Sequence, residues 1–172
     1  MKYYLDCEFD GPDLLSFALV AQDGRELYLS VDPTVLPAWD ISEWVAANVV
    51  PIIDVHGAEA KRWVSKLHIQ AELVDFFKGD PKPHIIADWP TDFQHLLPML
   101  HDDMGHMIDM PSFTCSVERV DAYPTELKGA VQHNALWDAR ALRHRLEERT
   151  SLTVTKAPQA SQKRWWSSSD TS

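Results

Sequence analysis

Apolar and polar positions alternate at the start of the chain. Across KYYLDCEF (2–9), Leu5, Cys7 and Phe9 fall on one side of an extended strand and Asp6 and Glu8 on the other. LLSFALVAQ and RELYLSV predict a second and third strand, and the turn signal QDGRE between them makes the three a β-meander. Residues 40–54 predict a short, Trp-bearing helical segment. In AEAKRWVSKLHIQAELVDFFKG, Ala60, Trp63, Val64, Leu67, Ala71, Val74 and Phe77 recur at three- and four-residue steps. That spacing predicts one amphipathic helix, ended by Gly79. PHIIADW reads as a buried strand, TDFQHLLPML as a helix interrupted at Pro98, SFTCSVERV as a further strand, and residues 135–149 as a last helix.

The resulting order, β-β-β-α-β-α-β-α, predicts an α/β fold. A three-strand meander plus two parallel strands would form a mixed five-stranded sheet with helices on both faces. Trp39, Trp44 and Trp63 are expected to pack in the helical layer. Residues 1–150 form one predicted domain. Beyond it, residues 151–172 are rich in Ser, Thr, Gln and Lys without an apolar period, which predicts a flexible tail.

Charge changes the picture once it is divided. The 172 residues carry a net −10, and residues 151–172 hold three basic residues and one acidic, so the first 150 carry −12. Such a body exerts no general pull on nucleic acid, and a phosphate polymer must be met by bound cations and local basic groups. No apolar run approaches the roughly 18 residues of a membrane span. The N-terminus enters a strand directly, without the basic and apolar stretches of a secretion signal. Cys7 and Cys115, each in a strand-like run, are expected as reduced, buried thiols, and the protein as cytoplasmic.

Asp6 and Glu8 on one strand face repel each other unless a positive charge lies between them, although an exposed acidic face would also account for the pair. Asp92, in the first turn of the helix after a buried strand, suits either a helix cap or a site at the strand end. His133 and Asp138 lie five apart where the last helix begins, so His133 can swing back toward the face of Asp138. A surface His and a helix-face Asp138 near Arg140 or Arg145 account for the pair equally well. Asp-x-Glu and His-x4-Asp would each arise roughly once by chance, so the weight lies in their placement along the fold. HDDMGHMID fits no zinc spacing and reads as a solvated loop. QKRWW mixes charge with aromatic rings as nucleic-acid arms do, but sits in the predicted tail.

LDCEFD, ADWPTDFQHL and HNALWDARAL, in that order, resemble the three motifs of the DEDDh 3′→5′ exonucleases of the RNase H-like superfamily. The similarity spans about residues 3–147 and is greatest to the small stand-alone bacterial and phage exoribonucleases. It implies Asp6, Glu8, Asp92 and Asp138 as ligands of two divalent cations, Mg²⁺ or Mn²⁺, with His133 as general base. It places Phe9 against the terminal nucleotide. Asp88 stands where the family often has Asn, and is either a substrate-side residue or a rival of Asp92 for the metal. The implied reaction is hydrolysis of RNA from the 3′ end to nucleoside 5′-monophosphates. Single-stranded RNA or RNA 3′ overhangs would be the partner, with no membrane and with room for a homodimer. DNA trimming by the same chemistry, or a catalytically silent binding module, stay open as alternatives.

Overall fold

The computed structural model describes residues 1–38, 40–120 and 127–155. Trp39, residues 121–126 and the tail from 156 onward, with its QKRWW segment, lie outside the described residues. In chain order the strands are β1 (Lys2–Asp10), β2 (Asp13–Ala21), β3 (Glu26–Ser30), β4 (Lys61–Arg62), β5 (His84–Ala87) and β6 (Thr114–Val117). The α-helices are α1 (Glu43–Asn48), α2 (Lys66–Phe77), α3 (Pro90–Leu96) and α4 (Ala135–Thr155). The strands form one mixed sheet in the order β4-β3-β2-β1-β5-β6. The meander β1-β2-β3 is antiparallel, while β5 runs parallel to β1, and β6 parallel to β5. The C-terminal ends of β1, β5 and β6 therefore lie along one side of the sheet.

The alternation of β1 divides its neighbours as expected. Tyr3, Leu5 and Cys7 enter a core with Leu73 and Phe77 of α2 and Phe93 and Leu96 of α3. Tyr4, on the opposite face, packs with Ile86 of β5 and Ala141 and Leu142 of α4. Helices thus cover both faces, and Asp6 and Glu8 continue the face that carries α4. Three local signals set the helix ends. Ser42 caps α1, its hydroxyl accepting from the Val45 N–H at 3.4 Å. Pro90 opens α3 at a position needing no N–H. Pro98, which cannot donate, turns the end of α3 into the 3₁₀ turn Leu97–Leu100. Asp10, at the end of β1, accepts bonds from both the Ser42 N–H and hydroxyl, tying α1 to the site end of the strand.

The sheet has six strands where the periodicity predicts five, and the difference lies in the expected 58–79 helix. Lys61–Arg62 pairs in parallel with β3, and the Trp63 N–H donates to the Ser30 carbonyl at 3.0 Å. Arg62 binds both Asp54 and the Ser30 hydroxyl, which fixes this stretch as an edge strand. Only at Ser65, whose hydroxyl accepts from the His68 N–H, does the helix begin. Its buried face is also rotated from the expected one. Ile69, Leu73, Phe76 and Phe77 are buried, whereas Val64 is 87% and Leu67 74% exposed. Ala60, Trp63 and Val64 flank β4 and precede the Ser65 cap, so they do not share the helical period. Cys115 differs as well: it lies exposed on edge strand β6, and only Cys7 is buried. At its far end α4 continues through Thr155, five residues into the predicted tail.

The rotated face separates two leucines of one helix. Leu73→Ala should cost about 2–5 kcal/mol of unfolding free energy in a urea titration, the range for emptying a core leucine site. Leu67→Ala should stay within about 0.5 kcal/mol, as exposed positions do. Equal losses at the two sites would show that α2 packs by the other face.

Candidate metal centre

Five carboxylates converge where the parallel strands end. Asp6 and Glu8 project from the latter half of β1 toward α4. Asp88 follows β5 directly, Asp92 sits in the first turn of α3 and Asp138 in the first turn of α4. One oxygen from each of Asp6, Glu8 and Asp138 lies within 4.8 Å of the others, and so do oxygens of Asp6, Asp88 and Asp92. Asp6 belongs to both sets. The structure thus brings together Asp6, Glu8, Asp92 and Asp138, and it adds Asp88 to the same cluster.

Among the described residues no cation forms an ion pair with these carboxylates, and only the charge of Arg119 reaches one of them, Asp88. Arg140, two residues after the first-turn Asp138 and its nearest rival partner in the sequence, is held elsewhere. Its guanidinium grips both oxygens of Glu26 at 2.7 Å and donates to the Gly57 carbonyl. Burial therefore pushes the acids up, and mutual repulsion adds to it. The Asp6 carboxyl lies well above the usual range, through burial and then the charges of Asp138, Asp92 and Glu8. Burial followed by the charges of Asp138 and Asp92 raises Glu8 to about 8. Asp92 is also raised to about 8, by burial and then Asp88. Asp138 reaches about 7 through burial, although the backbone N–H groups of His133 and Asn134 draw it back. Asp6 Oδ2 and Asp92 Oδ2 are buried with no hydrogen-bond partner among the described residues. Orphaned, crowded carboxylate oxygens with no sulfur or imidazole among them fit a hard divalent cation.

His133 belongs to neither carboxylate set. It takes a left-handed backbone conformation, φ 63°, immediately before α4, which is uncommon outside glycine. Its ring meets the edge of Trp44 at 5.1 Å and 83°. Trp44 was expected within the helical layer, but as part of short α1 it stands 55% exposed beside the site. Asn134 holds this junction and was not singled out in the sequence. Wholly buried, its Nδ2 lies 2.7 Å from the Ile52 carbonyl and 3.2 Å from both the Ile53 carbonyl and the Tyr28 hydroxyl. Its Oδ1 accepts from the Trp137 N–H at 3.2 Å, capping α4. An Asn directly before the apolar period of ALWDARAL was the available signal.

On the other sheet face, Cys7 is turned away from the site, its thiol donating to the Asp92 carbonyl at 3.6 Å. Phe9 follows a bulge in β1, is half-buried, and stacks on His95 at 4.3 Å and 26°. The HDDMGHMID loop is closed on itself: Asp102 accepts from the Met104 and His106 N–H groups, and Lys66 pairs with Asp103. It contributes to neither carboxylate set. No helix among the described residues is long and apolar enough to cross a membrane. Compared with known proteins, the chain matches no family model and no curated sequence.

The raised carboxylates make stability depend on pH with a definite sign. Unfolded, these groups titrate near 4, whereas folded Glu8, Asp92 and Asp138 titrate at about 7 to 8. The folded state then holds more protons between those limits, so their contribution to stability is complete below about pH 4 and falls as pH rises to about 8. A divalent cation replaces the lost protons. The rise in Tm on replacing chelator with Mg²⁺ or Mn²⁺ should be small near pH 5 and largest near pH 8, measured by scanning calorimetry. A metal-induced rise that does not vary with pH would contradict this account of the cluster.

Proposed function

We propose that this chain is a metal-dependent 3′→5′ exoribonuclease of the DEDDh type, built on an RNase H-like sheet and releasing nucleoside 5′-monophosphates. The observation that carries the reading is the membership of Asp6 in two carboxylate sets, the arrangement needed for one residue to serve two ions. The meander β1-β2-β3, with β5 and β6 parallel to β1, supports the sheet type. The 3′→5′ direction is what the resemblance of the three motifs to the DEDDh exonucleases implies.

Asp6, Glu8 and Asp138 would hold one ion, and Asp6 with Asp92 and Asp88 the other. Two such ions, Mg²⁺ or Mn²⁺, would supply positive charge to the attacking and leaving oxygens of an in-line phosphoryl displacement when bound. His133, outside both sets, takes the proton of the attacking water on a ring nitrogen, which an imidazole does readily near neutrality. The edge contact with Trp44 and the buried amide of Asn134 keep that ring and its loop in place. A body of net −12 over its first 150 residues confines recognition to a few nucleotides at the strand end.

Incubation with 3′- and 5′-labelled RNA and DNA in Mg²⁺ or Mn²⁺ tests the activity. A 3′ label should be released at once as a mononucleotide, while a 5′ label marks a shrinking ladder, with RNA degraded faster than matched DNA. Equal or faster loss of DNA would remove the ribonuclease assignment. No hydrolysis of either would leave a silent binding module.

Asp6→Ala, Asp92→Ala and Asp138→Ala should each nearly abolish turnover, and double variants should lose little more, since the ions act as a unit. Asp88→Ala should retain measurable turnover. The Asp88 carboxylate is only partly buried whereas Asp92 is 2% exposed, so of the two rivals water replaces Asp88 more readily. His133→Ala should cut turnover by roughly 10²–10⁴-fold with metal affinity unchanged in calorimetry. A large fall in metal affinity would make His133 a ligand instead.

A further inference from the structure

We propose that Arg119 and Trp89 form a binding subsite for the nucleic-acid strand beside the carboxylate cluster, the guanidinium receiving a backbone phosphate and the indole stacking on a base. This rests on the nuclease reading and names the residues that would let so acidic a body hold a polyanion.

Several described cations are already committed to carboxylates. Arg62 is bound to Asp54, Arg140 to Glu26, Lys61 to Glu72 and Lys66 to Asp103. Arg119 is placed differently. It follows β6 at the same sheet end as the carboxylates, and the preceding Glu118 N–H donates to the Ala87 carbonyl, at the end of β5. Its guanidinium carbon lies 4.6 Å from the centre of the Trp89 ring. Trp89 in turn stands between Asp88 and the helix that carries Asp92, and is 48% exposed. An exposed guanidinium held over an exposed indole, at the lip of the site, provides both elements of single-strand binding: a cation for the backbone and a flat surface for a base. The planar fork of Arg suits phosphate oxygens better than a lysine would.

The reaction site and this subsite can be separated by substrate length. A single-stranded RNA of several nucleotides reaches both, whereas the p-nitrophenyl ester of thymidine 5′-monophosphate carries only the phosphate under attack. In Arg119→Ala and Trp89→Ala, the ratio of kcat/KM for RNA to that for the ester should fall at least about tenfold, mainly through the KM for RNA. Arg119→Lys should recover part of the loss and Trp89→Phe most of it. For Arg119→Ala, the slope of log kcat/KM against log salt should shrink by about 0.7, the value for one contact to a single strand. An unchanged ratio in an active protein would overturn the subsite and leave the nuclease reading intact. Equal losses on both substrates would make the pair a mere support for Asp88 and α3, and would also overturn it. A wild-type protein that hydrolyses neither substrate would remove both proposals together.

Discussion

Carboxylates gathered in a partly buried space repel one another, and everything at the C-terminal end of this sheet is arranged around that repulsion. Asp6 and Glu8 share a face because a strand repeats every two residues. Asp88 and Asp92 arrive from β5 and the start of α3, and Asp138 from the first turn of α4. Bringing three separate elements onto Asp6 costs free energy whenever the acids ionise, and burial removes the water that would screen them. The fold withstands this through contacts on its far side and at its edges. Tyr3, Leu5 and Cys7 bury one face of β1 against α2 and α3. Asn134 and Arg140 fasten α4 to the 3₁₀ turn Val50–Ile52, to Gly57 and to β3. These anchors hold the acidic ends of the elements together without themselves supplying a counter-charge to the cluster.

The same constraint separates the roles of the side chains around it. Groups inside the two sets carry only oxygen and hold charge. His133, Trp44, Trp89 and Arg119 stand outside, where an imidazole can move a proton and exposed rings can meet a base. Their supports differ in kind. His133 depends on a left-handed turn, on the ring of Trp44 and on the buried amide of Asn134. Phe9, expected against the nucleotide, already has one face stacked on His95, so any role at the strand end falls to its other face.

What could be read from the sequence follows the range of the forces involved. The meander, the first-strand carboxylates and the helix start at residue 135 are local patterns, visible in a few residues. The extent of α2 was not visible, because Lys61 and Arg62 pair with a strand some thirty residues earlier in the chain. That pairing, with the ion pair to Asp54, outweighs the helical period that Trp63, Val64 and Leu67 suggested. The sequence offers Asp88 as a substrate-side residue or a rival to Asp92, whereas strand β5 ends so close to Asp6 that both acids reach it. The role of Asn134 is not legible in the sequence because its partners, Tyr28, Ile52 and Ile53, lie about 80 to 106 residues away in the chain. Long-range hydrogen bonds of this sort leave no period to detect.

The central claim is that Asp6 lies between two cation positions. Anomalous diffraction from crystals grown with Mn²⁺ tests it most directly. The account predicts two manganese peaks flanking the Asp6 carboxylate, one bounded by Glu8 and Asp138 and the other by Asp92 and Asp88. A single peak that leaves one of these sets unengaged, or manganese bound only elsewhere on the acidic surface, would contradict it.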